Sequence, residues 1–208
     1  MANKTTIRKF FLAIRHDDRG LVKAMLMQDP ALVNACALSP PKKDDGQSPL
    51  QVALKTAKPS IAHVLLDHGA NVNFMETSQI NSWNAPVLHD SLRGVVSLAG
   101  WRTTDIEPGF PTHFALFERL LEMGADPNGI DSYGNTCFDR VVLDASRKSD
   151  DADRWAGATG EDLQRVIDAL VRRGGDPRRP GQRGEIAADW AQGKPVGRLL
   201  ERWATPPS

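Results

Sequence analysis

The chain has 208 residues, with 26 lysines and arginines against 26 aspartates and glutamates, so its formal net charge is zero. That balance argues against a dedicated nucleic-acid or membrane-surface protein, since both need a basic excess to neutralise phosphates, and points to a neutral partner surface. Its two cysteines, Cys36 and Cys137, form no CxxC pair and have no histidine at ligand spacing, so they read as reduced thiols of a cytoplasmic protein holding no metal and no cofactor.

The N-terminal stretch offers only the short apolar run Phe10 to Ile14, flanked by Arg8, Lys9 and Arg15, which is too brief for a signal-peptide core. Nowhere do apolar residues approach the roughly 18 in a row that a membrane-spanning helix needs, so a soluble chain is expected. "TTIRKFFLAIRHDDRGLVKAMLMQDP" reads as a helical pair with Lys4, Arg8, Lys9, Arg15 and His16 on its solvent side. After "ACALSPPKKDD", a helix starts at Pro49, where a missing N–H costs nothing, with Leu50, Ala53 and Leu54 on one face. Ile61, Val64 and Leu65 mark the next helix, and Gly69 ends it as a residue able to take the left-handed conformation.

"FMETSQINSWN" then leads to a helix at Pro86 whose apolar rhythm runs on through Val95, Val96, Leu98 and Ala99. The loop "GWRTTDIEPGF" contains Pro108-Gly109 and precedes a fresh helix start at Pro111 and Thr112. "IDSYGNTCFDRVVLDA" opens a further helix. "KSDDADRWAGATGED" ends in Thr159 with Asp162 three residues on, a capping arrangement ahead of Leu163, Val166, Ile167 and Leu170. "GEIAADWAQGKPVGRLLERWATPPS" closes the chain with two short helices, the second stopping at Trp203 before Pro206-Pro207.

Similar exits recur as "MQDPALVN", "LDHGANVN", "LEMGADPN" and "VRRGGDPR", so the helical hairpins repeat. One such hairpin cannot bury both of its apolar stripes alone and needs neighbours. "DGQSPLQVALKTAKPSIAHVLLDHGANVN" resembles the ankyrin repeat, a β-turn plus two antiparallel helices in about 33 residues, with Ser48-Pro49-Leu50 in the Thr-Pro-Leu slot. "IDSYGNTCFDRVVLDA" resembles the same start, with Gly134 at the turn and Cys137 in place of the proline. "NAPVLHDS" is a looser match, with His89 in the family's histidine slot and Asn84 in that of the turn glycine.

The resemblance implies an all-α ankyrin-repeat solenoid of about five helix-turn-helix repeats with short β-hairpin-like connections, forming a single domain over 1–208. The approximate repeats are 1–43 (N-terminal cap), 44–76, 77–129, 130–180 and 181–208 (C-terminal cap). Pro86 to Gly124 and Thr136 to Gly174 each span 38 positions, against 21 from Ser48 to Gly69. Repeats three and four therefore carry inserts of about 17 residues, part of each expected to lengthen the first helix.

No nucleophile-and-base signature, phosphate-cradling glycine loop or HExxH motif is present. His89-Asp90 point about 100° apart on a helix, and the family histidine serves the turn. His63, His68 and His113 read as solvent-facing or capping residues. Arg172, Arg173, Arg178, Arg179 and Arg183 form a basic fringe opposed locally by Asp176, and read as a solvated helix end. An enzyme using the inserted loops, with Asp105, Glu107, Asp150, Asp151, Asp153 and Arg154, or a small-ligand or nucleic-acid binder using the fringe, are the alternatives.

The family resemblance implies instead a non-catalytic module, expected to be monomeric, that grips a protein partner through its concave hairpin and first-helix face, as an adaptor or an immunity-type inhibitor does. Positions matching the family's contact sites are Asp44, Asp45 and Gln47, then Ser82, Trp83 and Ala85, then Ser132, Tyr133 and Asn135. The long tips add Phe74, Met75 and Ile80. Phe74, Met75, Trp83 and Tyr133 are expected at the centre of the site, with Trp101 and Trp155 as secondary candidates and Trp190 and Trp203 closing the core of the last repeat.

Overall fold

The computed structural model describes residues 3–101, 109–148 and 155–204, and among these it is all-α, its β-structure limited to one isolated antiparallel bridge between Met75 and Pro86. The chain forms two compact units, 1–90 and 91–208. Asp105, Glu107, Asp150, Asp151, Asp153, Arg154 and the Pro206-Pro207 tail lie outside the described residues.

In the first unit, α1 (Lys4–Arg15) packs on α2 (Arg19–Gln28), and α3 (Pro49–Lys55) on α4 (Pro59–Asp67). Helix α1 also packs on α3 and α2 on α4, so the two hairpins stack first helix on first helix and second on second. Each start is chemically marked. Asn3 Oδ1 accepts from the Thr6 amide at 2.8 Å, Asp18 Oδ1 from the Leu21 amide at 2.9 Å, and Ser48 with Gln51 closes a capping box ahead of Pro49.

Gly69 takes φ +83° at the exit of α4, as expected, and nothing lies within 4 Å of the position a Cβ would occupy there. Its conformation, rather than crowding, is what selects glycine. Successive exits are clamped by one asparagine: Asn34 Nδ2 donates to the Gly69 carbonyl at 3.3 Å and Asn34 Oδ1 accepts from the Asn71 amide at 2.8 Å.

Helix α5 (Val87–Leu98) is long, as its rhythm predicts. In the second unit follow α6 (Phe110–Glu122), α7 (Cys137–Ala145), α8 (Ala158–Arg172), α9 (Ala187–Trp190) and α10 (Pro195–Ala204). Helix α8 packs on α6, α7 and α10, while α7 packs on α9, repeating the stacking order of the first unit. The clamp recurs here: Asn128 Nδ2 donates to the Gly174 carbonyl and Asn128 Oδ1 accepts from the Asp176 amide, both at 2.8 Å. The same two hydrogen bonds in both units are the tertiary counterpart of the repeated "VN" and "PN" exits.

Four expectations need correction. Thr159 does not cap α8: the helix starts at Ala158, and Asp162 accepts from the Gly100 amide at 2.9 Å. Together with Lys148 Nζ, which donates to the Ser97 and Ala99 carbonyls at 2.9 Å, it satisfies the end of α5. Repeat four lengthens chiefly its second helix, 15 residues against 9 in the first. Asn84 is not a left-handed turn residue, since the non-glycine positive φ angles among the described residues belong to Asp17 and Ala57. Arg15 does not face solvent. It is half-buried and forks onto Asp44, with Nε 2.6 Å from Oδ2 and a second contact to Oδ1.

Candidate protein-binding face

The loop 74–86 lies over the 37–47 hairpin of the first unit, held by a layer of buried polar groups. Glu76 is buried, and its carboxylate accepts from Gln47 Nε2 at 3.2 Å and from Lys55 Nζ at 2.9 Å. Lys55 stands 3.6 Å from Asp90 Oδ1, with its ammonium 5.5 Å from the Trp83 ring centroid. Gln51 donates to the Ala85 carbonyl at 2.9 Å and to Asp90 at 3.1 Å.

At the tip, Asp45 accepts from Ser78 Oγ at 3.0 Å, and Ser78 Oγ in turn accepts from the Ile80 and Asn81 amides at 3.1 and 2.9 Å. An irregular loop, which offers its own backbone few regular partners, is thereby fixed by side chains below it.

Of the apolar side chains on this loop, Met75 and Ile80 are 41% and 48% exposed, while Phe74 and Trp83 are half-buried. Gln47, read from sequence as a contact residue, is buried and donates to the Lys43 carbonyl at 2.9 Å as well as to Glu76. Asp45 is half-buried and bound to Ser78. Asp44 is buried against Arg15, and Ala85 is fully buried.

In the second unit, Asp131 organises its own turn. It accepts from the Tyr133 and Asn135 amides at 2.9 and 3.0 Å, from Asn135 Nδ2, and from the Arg140 guanidinium at 3.0 Å. Asn135 is therefore turned inward onto Asp131, while Tyr133 and Ser132 are exposed. Trp101 is exposed just after α5, and Trp155 is half-buried ahead of α8, its carbonyl so close to Gly160 that a Cβ there would collide with it.

The histidines and arginines are largely structural. His89 is fully buried and His113 nearly so, the latter with Nδ1 3.1 Å from the Gly109 carbonyl; His113 thus faces the interior rather than solvent. His68 Nδ1 lies 2.8 Å from the Val64 carbonyl, and His63 is half-buried. The arginine fringe meets more than Asp176: Arg172 pairs with Glu118 at 3.3 Å, Arg173 with Glu122 at 3.0 Å, and Arg179 donates to the Asn128 carbonyl at 2.6 Å. Arg183 lies 4.5 Å from the centroid of Trp190, whose Nε1 donates to Asp139 at 2.7 Å; Trp190 and Trp203 are each half-buried.

Two groups are displaced in acidity. Burial pushes the Asp144 carboxyl above its ordinary value, opposed by Arg140, Arg93 and Arg147. Burial likewise raises the Cys137 thiol, so that it stays neutral. Among the described residues, no group of three or more His, Cys, Asp or Glu side chains is placed to hold a metal ion, and no helix is long and apolar enough to cross a membrane.

Stacked hairpins, asparagine clamps and capped first helices meet a direct comparison in the second repeat, where residues 45–76 match the model of the ankyrin repeat. The chain contains an ankyrin repeat at this place. Over 131 residues, 63% of its length, it is 32% identical to the E3 ubiquitin-protein ligase KEG of Arabidopsis thaliana. The chain spans 6% of that ligase's length. Ankyrin repeats generally mediate protein–protein interaction and typically lack catalysis, which fits a module whose polar groups are chiefly engaged in holding loops.

The residues sequence reading missed are Lys55, Gln51 and Glu76, the support of the 74–86 loop. Lys55 and Glu76 are separated by 21 positions, and no local spacing relates them. The available signal was weaker: a glutamate inside the otherwise apolar and small "FMETS" run.

Proposed function

We propose that this ankyrin-repeat protein binds protein, without catalysis, through the strip formed by Phe74, Met75, Ile80 and Trp83 of the first unit, and that exposed Tyr133 is a contact residue of the second unit in its own right. The observation that carries the proposal is the coexistence of two exposed apolar side chains, Met75 and Ile80, with a fixed, buried polar support beneath them. Apolar groups presented on a rigid loop lose little ordering entropy on binding, and aromatic residues with apolar neighbours make binding hot spots.

In this reading the chain is a cytoplasmic, monomeric adaptor or stoichiometric inhibitor of the immunity type, built as one domain of five repeats. Ubiquitin transfer is not carried over from the plant ligase, because the shared stretch is a small fraction of that protein. The paired state of Arg172, Arg173 and Arg179 speaks against the fringe as the site.

The test is photo-crosslinking from position 75 in the host cell, then titration of the captured protein against the unmodified chain and against Trp83→Ala/Tyr133→Ala. A loss of about tenfold or more in affinity with the fold retained is expected. Unchanged affinity with the fold retained would put the site on another face.

A further inference from the structure

The first unit has a second apolar feature, lined by residues other than those of the 74–86 strip. Between α1 and the 37–44 segment lies a groove of about 230 Å³ whose walls are Phe11, Leu12, Ala37, Leu38, Pro40 and Pro41. Both walls are fixed by cross-bracing from α1: Arg15 forks onto Asp44, and the Arg8 guanidinium donates to the Ser39 carbonyl at 3.3 Å. The hairpin behind is pinned by the Ala37 amide to the Gln47 carbonyl at 2.8 Å and the Gly46 amide to the Ala37 carbonyl at 3.1 Å. Leu12, 54% exposed on the groove's edge, is a helix residue with a large apolar side chain in water.

Size, lining and charge together select an occupant. The volume is below the roughly 300–1,000 Å³ of sites that enclose a small molecule, yet ample for one large apolar side chain. Two prolines on one wall contribute no N–H, so that wall cannot offer an incoming chain a two-way backbone ladder, and side chains carry the recognition. The two segments forming the walls carry Lys4, Arg8, Lys9, Arg15, Lys42 and Lys43 against the single acid Asp44, which Arg15 already neutralises. Although the chain as a whole is neutral, these two segments carry a basic excess, and of the charged side chains that line the groove itself Arg15 is paired with Asp44, leaving the charge of Arg8.

We propose that the groove docks one large apolar side chain of a partner peptide that carries carboxylates on either side of that anchor. The inference rests on the protein-binding reading for the class of partner, but not on the Met75–Trp83 strip. Apolar burial supplies the anchor, and Lys4, Lys9, Lys42 and Lys43, with spare Arg8 donors, attract the flanking acids.

The full chain, isotopically labelled, is titrated with three synthetic peptides: an Asp-rich one with a central Leu-Phe pair, a Lys-rich one with the same pair, and an Asp-rich one with Ser in its place. Only the first is expected to shift the amides of Phe11, Leu12, Ala37 and Leu38. Its binding should weaken about tenfold in Leu12→Glu, and in salt near 1 M, where charges are screened beyond about 3 Å.

Trp83→Ala should leave this titration unchanged. Loss in Trp83→Ala but not in Leu12→Glu would move the acid-flanked peptide to the 74–86 strip, overturning the groove while keeping the protein-binding reading. Equal shifts from the Lys-rich or Ser-containing peptide, no shift at these amides, or stronger shifts from phosphatidylserine vesicles or a single-stranded RNA oligonucleotide would also overturn the inference. Leu12→Glu changes a side chain that is more than half exposed, so its folding is checked by an unaltered amide spectrum away from the groove.

Discussion

Replacing Lys55 by methionine removes the cation from beneath the 74–86 loop while keeping the length and apolar stem of the side chain. Its partner Glu76 has a side chain only 1% exposed, whereas that of Lys55 is 21% exposed. Breaking a fully buried pair costs about 3–5 kcal/mol and a surface pair about 0–1. A buried acid with a partly exposed base falls between these limits, at about 2–3 kcal/mol, to which the Lys55–Trp83 contact adds about 0.5 kcal/mol.

The assay is urea unfolding followed by circular dichroism, with Trp fluorescence reporting the loop. Glu76→Gln alone keeps an acceptor for the Gln47 amide and should cost about 1 kcal/mol. The double variant Lys55→Met/Glu76→Gln should be more stable than Lys55→Met, because Glu76 is then no longer a buried carboxylate without its cation, leaving only Asp90, which Gln51 still hydrogen-bonds, beside the methionine. A loss under about 0.5 kcal/mol for Lys55→Met, or strictly additive losses in the double variant, would refute the account of this loop's support.

Leu120 and Val166 are both fully buried, on α6 and α8, so Leu120→Ala should lower unfolding free energy by about 2–4 kcal/mol and Val166→Ala by about 2; denaturant titration of each checks the assignment of these faces. Because burial raises the folded-state pKa of Asp144, the folded chain binds this proton more tightly than the unfolded one. Stability from this group is therefore present in acid and falls as pH rises through the range above the ordinary value of 3.8. Asp144→Asn should raise the melting temperature at pH near 7, with the gain shrinking in acid; a lower melting temperature at neutral pH would contradict this. Cys36 is half-buried and Cys137 buried with a neutral thiol, so maleimide should label Cys36 in the folded chain and Cys137 only after denaturation, as peptide mass spectrometry can follow.

Much of the helical framework was legible because its signals are local. Pro49 after Ser48, the long rhythm from Val87 to Leu98, and Gly69, Gly124 and Gly174 at the exits each declare a start, a length or a stop within a few positions. Where the reading failed, a distant residue had won a local competition. Asp162 looked like part of a cap with Thr159 but serves the Gly100 amide, 62 positions earlier. Arg15 looked solvent-facing on its helix but finds Asp44 across the hairpin.

The candidate site divides the same way. That Met75, Ile80, Trp83 and Tyr133 fall on hairpin tips followed from the repeat pattern; that Gln47 and Asn135 turn inward, and that Glu76 needs Lys55, did not. By itself the sequence determined the repeated helical hairpin, since apolar spacing, proline and glycine act through the backbone of the residues that carry them. Tertiary structure alone decided which polar side chains were consumed in bracing loops and which apolar ones stayed in water. That choice is made by groups brought within hydrogen-bonding distance only after the hairpins have stacked.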